Sequence, residues 1–219
     1  MENLGGVLAM MLAFATPFAR FWRRRWGATP EEVGGVQPGD ELVPAPKWMA
    51  NHAIAIDAPP DRVWPWIAQI GQGRGGFYSY ERLENLTGCQ ITNTSRILAE
   101  HQDLRPGDPI RLHAEVPPMS AAIVAKPTAL VLHGSPSGED GPSLSSTWAF
   151  LLFEQPDGTT RLLSRTRYDY AGDLRSRLMG GPLLIEPISF VMERKMLRVI
   201  RALVEAEARG VELAGAEPA

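Results

Sequence analysis

The stretch that most limits what this chain can become runs from Asn51 to Gly88, NHAIAIDAPPDRVWPWIAQIGQGRGGFYSYERLENLTG. Residues 48–56 alternate as a strand does, with Ala50, His52, Ile54 and Ile56 on one face and Met49, Asn51, Ala53 and Ala55 on the other. Asp57 to Pro60 stops that strand and starts a helix, because proline fits the first helical turn, where its missing N–H costs nothing. Asp61 then sits near the helix's positive end. Val63, Trp64, Ile67 and Ile70 form one helical face, Pro65 predicts a kink or an irregular first turn, and Gly71 suits the end. A second short helix is expected from Ser79 to Leu86, with Ser79 as its cap, Glu81 and Glu84 early in it, and Gly88 closing it. Two short helices after one strand solve a definite problem: they close one end of a curved sheet.

Between those helices, Gly71-Gln-Gly-Arg-Gly-Gly76 matches G-x-G-x-x-G by letter. A dinucleotide site needs a strand before that motif, a helix opening within it and an acidic residue about 20 positions on. Here a helix precedes it and the corresponding position falls near Arg96, so the glycines are read as a tight connection. Phe77, Tyr78 and Tyr80 follow, as core aromatics or as the mouth of a pocket.

Beyond Gly88 the patterns are those of a sheet and then one long helix. Strands are expected at 109–114, 120–126, 128–134, 145–154 and 160–170, the last two joined at Gln155-Pro-Asp-Gly158. Residues 135–143 read as a long loop. Trp148, Phe150 and Leu152 share a face, as do Ser164, Thr166, Tyr168 and Tyr170. Arg165 and Arg167 fall on the opposite face from Tyr168, and alternation alone leaves open which face is concave. They are either a solvated outer face or a cationic anchor for a ligand carboxylate or enolate. From Leu183 to Ala208 the spacing predicts a helix whose broad apolar face includes Ile188, Val191, Met192, Met196 and Ile200.

The N-terminal segment differs from the rest. Residues 3–19 carry no charge, and Arg20-Phe-Trp-Arg-Arg-Arg-Trp26 follows at once. A spanning helix needs roughly 20 apolar residues, and Pro17 weakens the end of this run. Two readings stay open: a marginal membrane contact through residues 4–26 with a basic, aromatic collar, or a helix lying on the protein's own apolar surface. The chain therefore divides into 1–27, an apolar and basic helix; 28–46, a Pro/Gly linker or arm; 47–210, one globular domain; and 211–219, a loose tail. A net charge of -3 gives no field for nucleic acid, and none is expected as a partner. The single cysteine, Cys89, can form no internal disulfide, which suits a cytoplasmic protein.

The Ile56-to-Trp64 segment, Trp64-Pro-Trp-Ile67, Gly75-Gly-Phe-Tyr-Ser-Tyr80 and Leu83-Glu-Asn85 together carry a resemblance. With the element order, they resemble the helix-grip fold of the SRPBCC (START-like) superfamily, and in particular a bacterial group often labelled polyketide cyclase/dehydratase-like. The likeness covers roughly residues 48–209. It implies an α+β fold in which a curved antiparallel sheet wraps a long C-terminal helix around an apolar cavity. It implies no universal catalytic residues.

No H-E-x-x-H or C-x-x-C is present among the histidines and the cysteine, so no metal and no cofactor is expected. Gly134 to Gly138 fails as a nucleophile elbow because its middle residue is Pro136. The leading expectation is binding or transport of an apolar or amphipathic small molecule such as a lipid, isoprenoid or polyketide. Trp148, Phe150, Met192 and Met196 should line its cavity, with Tyr78 or Tyr80 at the mouth. An enzymatic alternative of the cyclase/dehydratase type would use Arg165, Arg167 or Tyr168 to hold a carbonyl and His113 or Glu81 to move a proton. A third reading is a membrane-associated interaction protein.

Overall fold

The computed structural model of the chain describes residues 2–86, 88–135 and 143–210. Most of the expected 135–143 loop, and all of the 211–219 tail, lie outside the described residues. The N-terminal region holds α1 (Glu2–Ala15), α2 (Arg20–Arg23) and α3 (Pro30–Gly34). Strand β1 (Trp48–Ile56) follows, then α4 (Pro60–Ala68) and α5 (Glu81–Leu86). The sheet continues through β2 (Pro109–Ile110), β3 (Met119–Ala125), β4 (Ala129–Gly134), β5 (Leu144–Glu154) and β6 (Thr160–Tyr170). The chain then enters α6 (Leu174–Gly180) and α7 (Ile185–Ala208). Six strands form one antiparallel sheet in the order β1-β6-β5-β4-β3-β2, with α7 on its inner face: the helix-grip fold.

Alternation sorts the sheet's side chains into two faces with different partners. Ile54, Ile56, Leu130, Leu132, Phe150 and Leu162 point inward and pack with Met196, Leu197, Ile200 and Val204 of α7. Val63, Trp64 and Ile67 of α4 complete that core, and α4 continues through Pro65 as a single helical element. The outward residues Ala53, Val131, Ala149, Leu151 and Leu163 form a second, smaller apolar layer with Ala28 and Leu42 of the N-terminal arm.

That arm, residues 28–46, crosses the outer face, and the sheet's arginines hold it there. Arg161 pairs with Glu32 at 2.7 Å, and Arg165 and Arg167 both reach Asp40, at 2.8 and 3.0 Å. Arg167 Nε also donates to the Val43 carbonyl at 2.9 Å. The two arginines are thus on the convex face, as one reading had it, but they are buried under the arm instead of solvated.

The segment before the arm is tied just as firmly. Arg23, 3% exposed, and Arg20 both bond Glu186, 2% exposed, at the start of α7. The Arg24 and Trp26 carbonyls accept the Asn51 and Ala53 amides of β1, at 2.7 and 3.0 Å. Gly27, at φ +75°, makes that approach possible, because a Cβ there would strike the Ala53 carbonyl. Helix α1 lies on α7 and α5 with a small-residue face, where Gly6 meets the Tyr80 ring and Ala13 meets Phe190 and Val191. Its large residues face out: Leu8 and Met11 are exposed, and beyond the bend Phe18 is 85% exposed. No single helix among the described residues is long and apolar enough to cross a membrane; Leu4–Ala15 and Pro17–Arg23 meet at an 89° bend.

Candidate ligand-binding cavity

Between the inner face of the sheet and the first half of α7 lies a cavity of about 620 Å³. Trp148 of β5, Tyr168 of β6, and Met192 and Met196 of α7 line it. Phe77, from the connection after α4, and Pro118 and Met119, leading into β3, close other sides. Met179 of α6 and Val116 belong both to the wall and to the exposed surface, so the opening lies beside them.

The glycine run explains how Phe77 is placed. Gly71, Gly73 and Gly76 all adopt positive φ, and Gly75 leaves room for the Tyr78 hydroxyl, which would lie 2.6 Å from an added Cβ. Asn93 Oδ1 accepts the Phe77 and Tyr78 amides at 2.9 and 2.7 Å. Tyr78, itself at φ 55°, turns inward, where Gln69 Nε2 donates to its hydroxyl and the hydroxyl donates to the Trp66 carbonyl. The G-x-G-x-x-G letters therefore serve a turn that seats aromatics, with no strand–helix context for a nucleotide.

One acid–base pair adjoins the cavity. Glu193 lines it and is 6% exposed. Its Oε2 lies 2.8 Å from His52 Nδ1 and accepts the Ser164 hydroxyl at 3.0 Å. Ser164 in turn accepts the Trp148 indole N–H at 3.0 Å. The far ring nitrogen of His52 lies 2.9 Å from the Arg23 carbonyl, which can only accept, so Nε2 carries a hydrogen. A proton must then lie between Nδ1 and Oε2, since two lone pairs at 2.8 Å would repel. The pair shares one proton, and Glu193 can exchange a hydrogen bond or a proton with a group inside the cavity.

A second carboxyl, Glu84 of α5, is also in the wall. Burial, with Glu81 nearby, pushes its pKa up to about 7. Burial likewise pushes the Tyr168 phenol up, with the Glu193 charge adding to it. Tyr168 is also fixed by stacking on Trp48, the ring centroids 4.5 Å apart.

Of the residues singled out from the sequence, Trp148, Tyr168, Met192 and Met196 come together in the cavity wall. The others are placed elsewhere. Phe150 lies behind Trp148 in the closed core, where inward alternation continues past the cavity's end. Tyr78 is core, and Tyr80 is covered by α1. Glu81 accepts the Asn93 amide at 2.9 Å, and His113 Nδ1 accepts the Glu115 amide at 3.1 Å, both outside the wall. Arg165 and Arg167 sit on the other side of the sheet, because strand parity opposes them to Tyr168. The sequence reading missed Glu193, His52 and Glu84 as site residues. The signal existed: Glu186 and Glu193 stand at helical spacing with Phe190, Leu197, Ile200 and Val204, so two acids occupy an apolar stripe.

No family model and no curated protein matches the chain. Among solved structures it is similar to the Zhui aromatase/cyclase from a Streptomyces species, with 16% identity, 77% of this chain and 98% of that one covered, and a TM-score of 0.40. A protein from Nitrosospira multiformis is 15% identical over 74% of this chain and 99% of its own, at a TM-score of 0.43. A protein from Mesorhizobium loti is 14% identical over 72% and 97%, at 0.41.

Proposed function

We propose that the protein binds an apolar or amphipathic small molecule, of lipid, isoprenoid or polyketide type, between the sheet and α7. The observation that carries this reading is the cavity of about 620 Å³, walled by Trp148, Met119, Met192 and Met196 with a few polar groups at its side. Small-molecule sites commonly fall in the range of roughly 300–1,000 Å³ with such a lining. A cyclase/dehydratase reading needs an arginine or a tyrosine to polarise a carbonyl; among the described residues no arginine lines the cavity, which leaves Tyr168 beside the carboxyls to serve it. Met192→Trp should fill the space. The expected outcome is loss of uptake of a neutral fluorescent probe, 1-(N-phenylamino)naphthalene, with the thermal unfolding transition retained. Unchanged uptake by a folded variant would count against the cavity as the site.

A second reading concerns where that ligand is met. We propose that the exposed face of α1, α2 and α6 rests on a bilayer surface. Leu8, Met11, Phe18, Phe21 and Trp22 are exposed, and so are Leu178, Met179 and Leu183. The two groups are neighbours, since Arg20 donates to the Pro182 carbonyl and Trp22 packs edge-on against Phe190. The apolar surface thus runs up to the cavity opening at Met179, and Arg24 and Arg25 stand at its edge over Trp48 and Phe21. The full chain should co-sediment with vesicles containing anionic lipid. The Leu8→Glu/Phe18→Glu variant should stay in solution while still taking up probe. A full chain that ignores vesicles would refute this surface's role.

A further inference from the structure

The polar groups of the cavity are one-sided in kind. Among the described residues two carboxyl side chains, Glu84 and Glu193, line it, and neither lysine nor arginine does. His133 is the one lining side chain among the described residues that can become cationic, and its Nε2 is 3.4 Å from the Ser145 hydroxyl. The His52–Glu193 pair shares a single proton, so it presents no net positive charge to a ligand. Glu193 Oε2 already takes two partners, whereas Oε1 takes none among the described residues. Thr166, two positions along the same face from Ser164, lines the cavity, is 2% exposed, and its Oγ1 has no hydrogen-bond partner among the described residues. A buried polar atom without a partner is costly, so a bound molecule that supplied one would be favoured.

From these groups we infer that the ligand is an amphiphile whose head is neutral or cationic and donates a hydrogen bond, a hydroxyl or an amine, and that carboxylate-headed molecules are excluded. The inference rests on the proposed small-molecule role of the cavity. An anionic head would enter a space of low dielectric beside carboxyl oxygens, with no lysine or arginine among the described lining residues to pair it. A donor head instead meets Glu193 Oε1, and a hydroxyl can also meet Thr166 Oγ1, which both donates and accepts. The apolar remainder of the molecule would lie along Met119, Leu112 and Met196.

The test uses the full chain loaded with 1-(N-phenylamino)naphthalene and displaced by dodecylamine, dodecanol or dodecanoate below their micelle concentrations. The three displacers share one tail, so their differences report the head alone. The amine and the alcohol should displace the probe at concentrations at least roughly tenfold lower than the carboxylate, a factor worth about 1.4 kcal/mol. Glu193→Gln should narrow the gap between amine and carboxylate. If that variant does not fold, Glu84→Gln, on α5, should narrow it in the same direction. Dodecanoate displacing as well as dodecanol would overturn the inference and leave the cavity's binding role standing. Wild-type protein that takes up no probe would overturn both.

Discussion

Glu84 carries its carboxyl into a wall where water cannot fully solvate it, and the consequence is a pH-dependent stability. Its folded pKa of about 7 stands above the ordinary value of 4.5. The folded state therefore binds this proton more tightly than the unfolded state does. That advantage is complete below the unfolded value and is lost as pH rises through the folded one, a change on the order of 3 kcal/mol. Glu84→Gln should match the wild type in urea unfolding near pH 4 and exceed it by about 3 kcal/mol near pH 8. A constant difference across that range would remove Glu84 as the cause. Residues such as this show where sequence reading stops. Met192 and Met196 could be placed because an apolar stripe at helical spacing has one face to bury. His52 fell on the inward face of β1 by parity, yet nothing in the sequence brings it to Glu193, 141 positions away. Tyr78 could be read as core or as a pocket mouth, and what decides it, a positive φ beside Asn93 and the glycine turn that points it into the core, leaves no mark in the pattern.

At the scale of elements, the arm over the outer face makes a separable prediction. Asp40 bridges Arg165 and Arg167, whose side chains are otherwise shut away from water. Removing one member of such a group leaves charge buried without its counterpart, which typically costs 3–5 kcal/mol. Asp40→Asn should destabilise the protein by about 3 kcal/mol in chemical denaturation and leave probe uptake unchanged, because the cavity lies on the opposite face of the sheet. Altered uptake would mean that the two faces are coupled. The elements themselves were largely legible. β1 runs from Trp48 to Ile56 as its alternation predicts, and the β5–β6 hairpin turns at Gln155 to Gly158. Helix α6, which supplies Met179, was not expected from the sequence: seven residues long, it holds its shape by an Asp173 cap on Ser176 and by packing on β5 and β6. The arm could be read only as Pro/Gly-rich chain, since what orders it is a set of arginines more than 100 positions away.

Across the whole molecule, the sheet divides the labour between its faces: charge is locked under the arm outside, and space is kept inside between β5, β6 and α7. The N-terminal segment links both, running from the exposed surface near the cavity opening, through Arg23 and Glu186, to the margin of β1. That margin has a further consequence. An unpaired strand edge is a template on which strands of other molecules add, and it is a common route to aggregation. Here residues 24–27 occupy the Asn51 and Ala53 amides in the middle of β1, and at the far side β2 is only two residues long. Strand-by-strand growth from one copy of the chain to the next thus finds only a broken, shortened starting row at either end of the sheet.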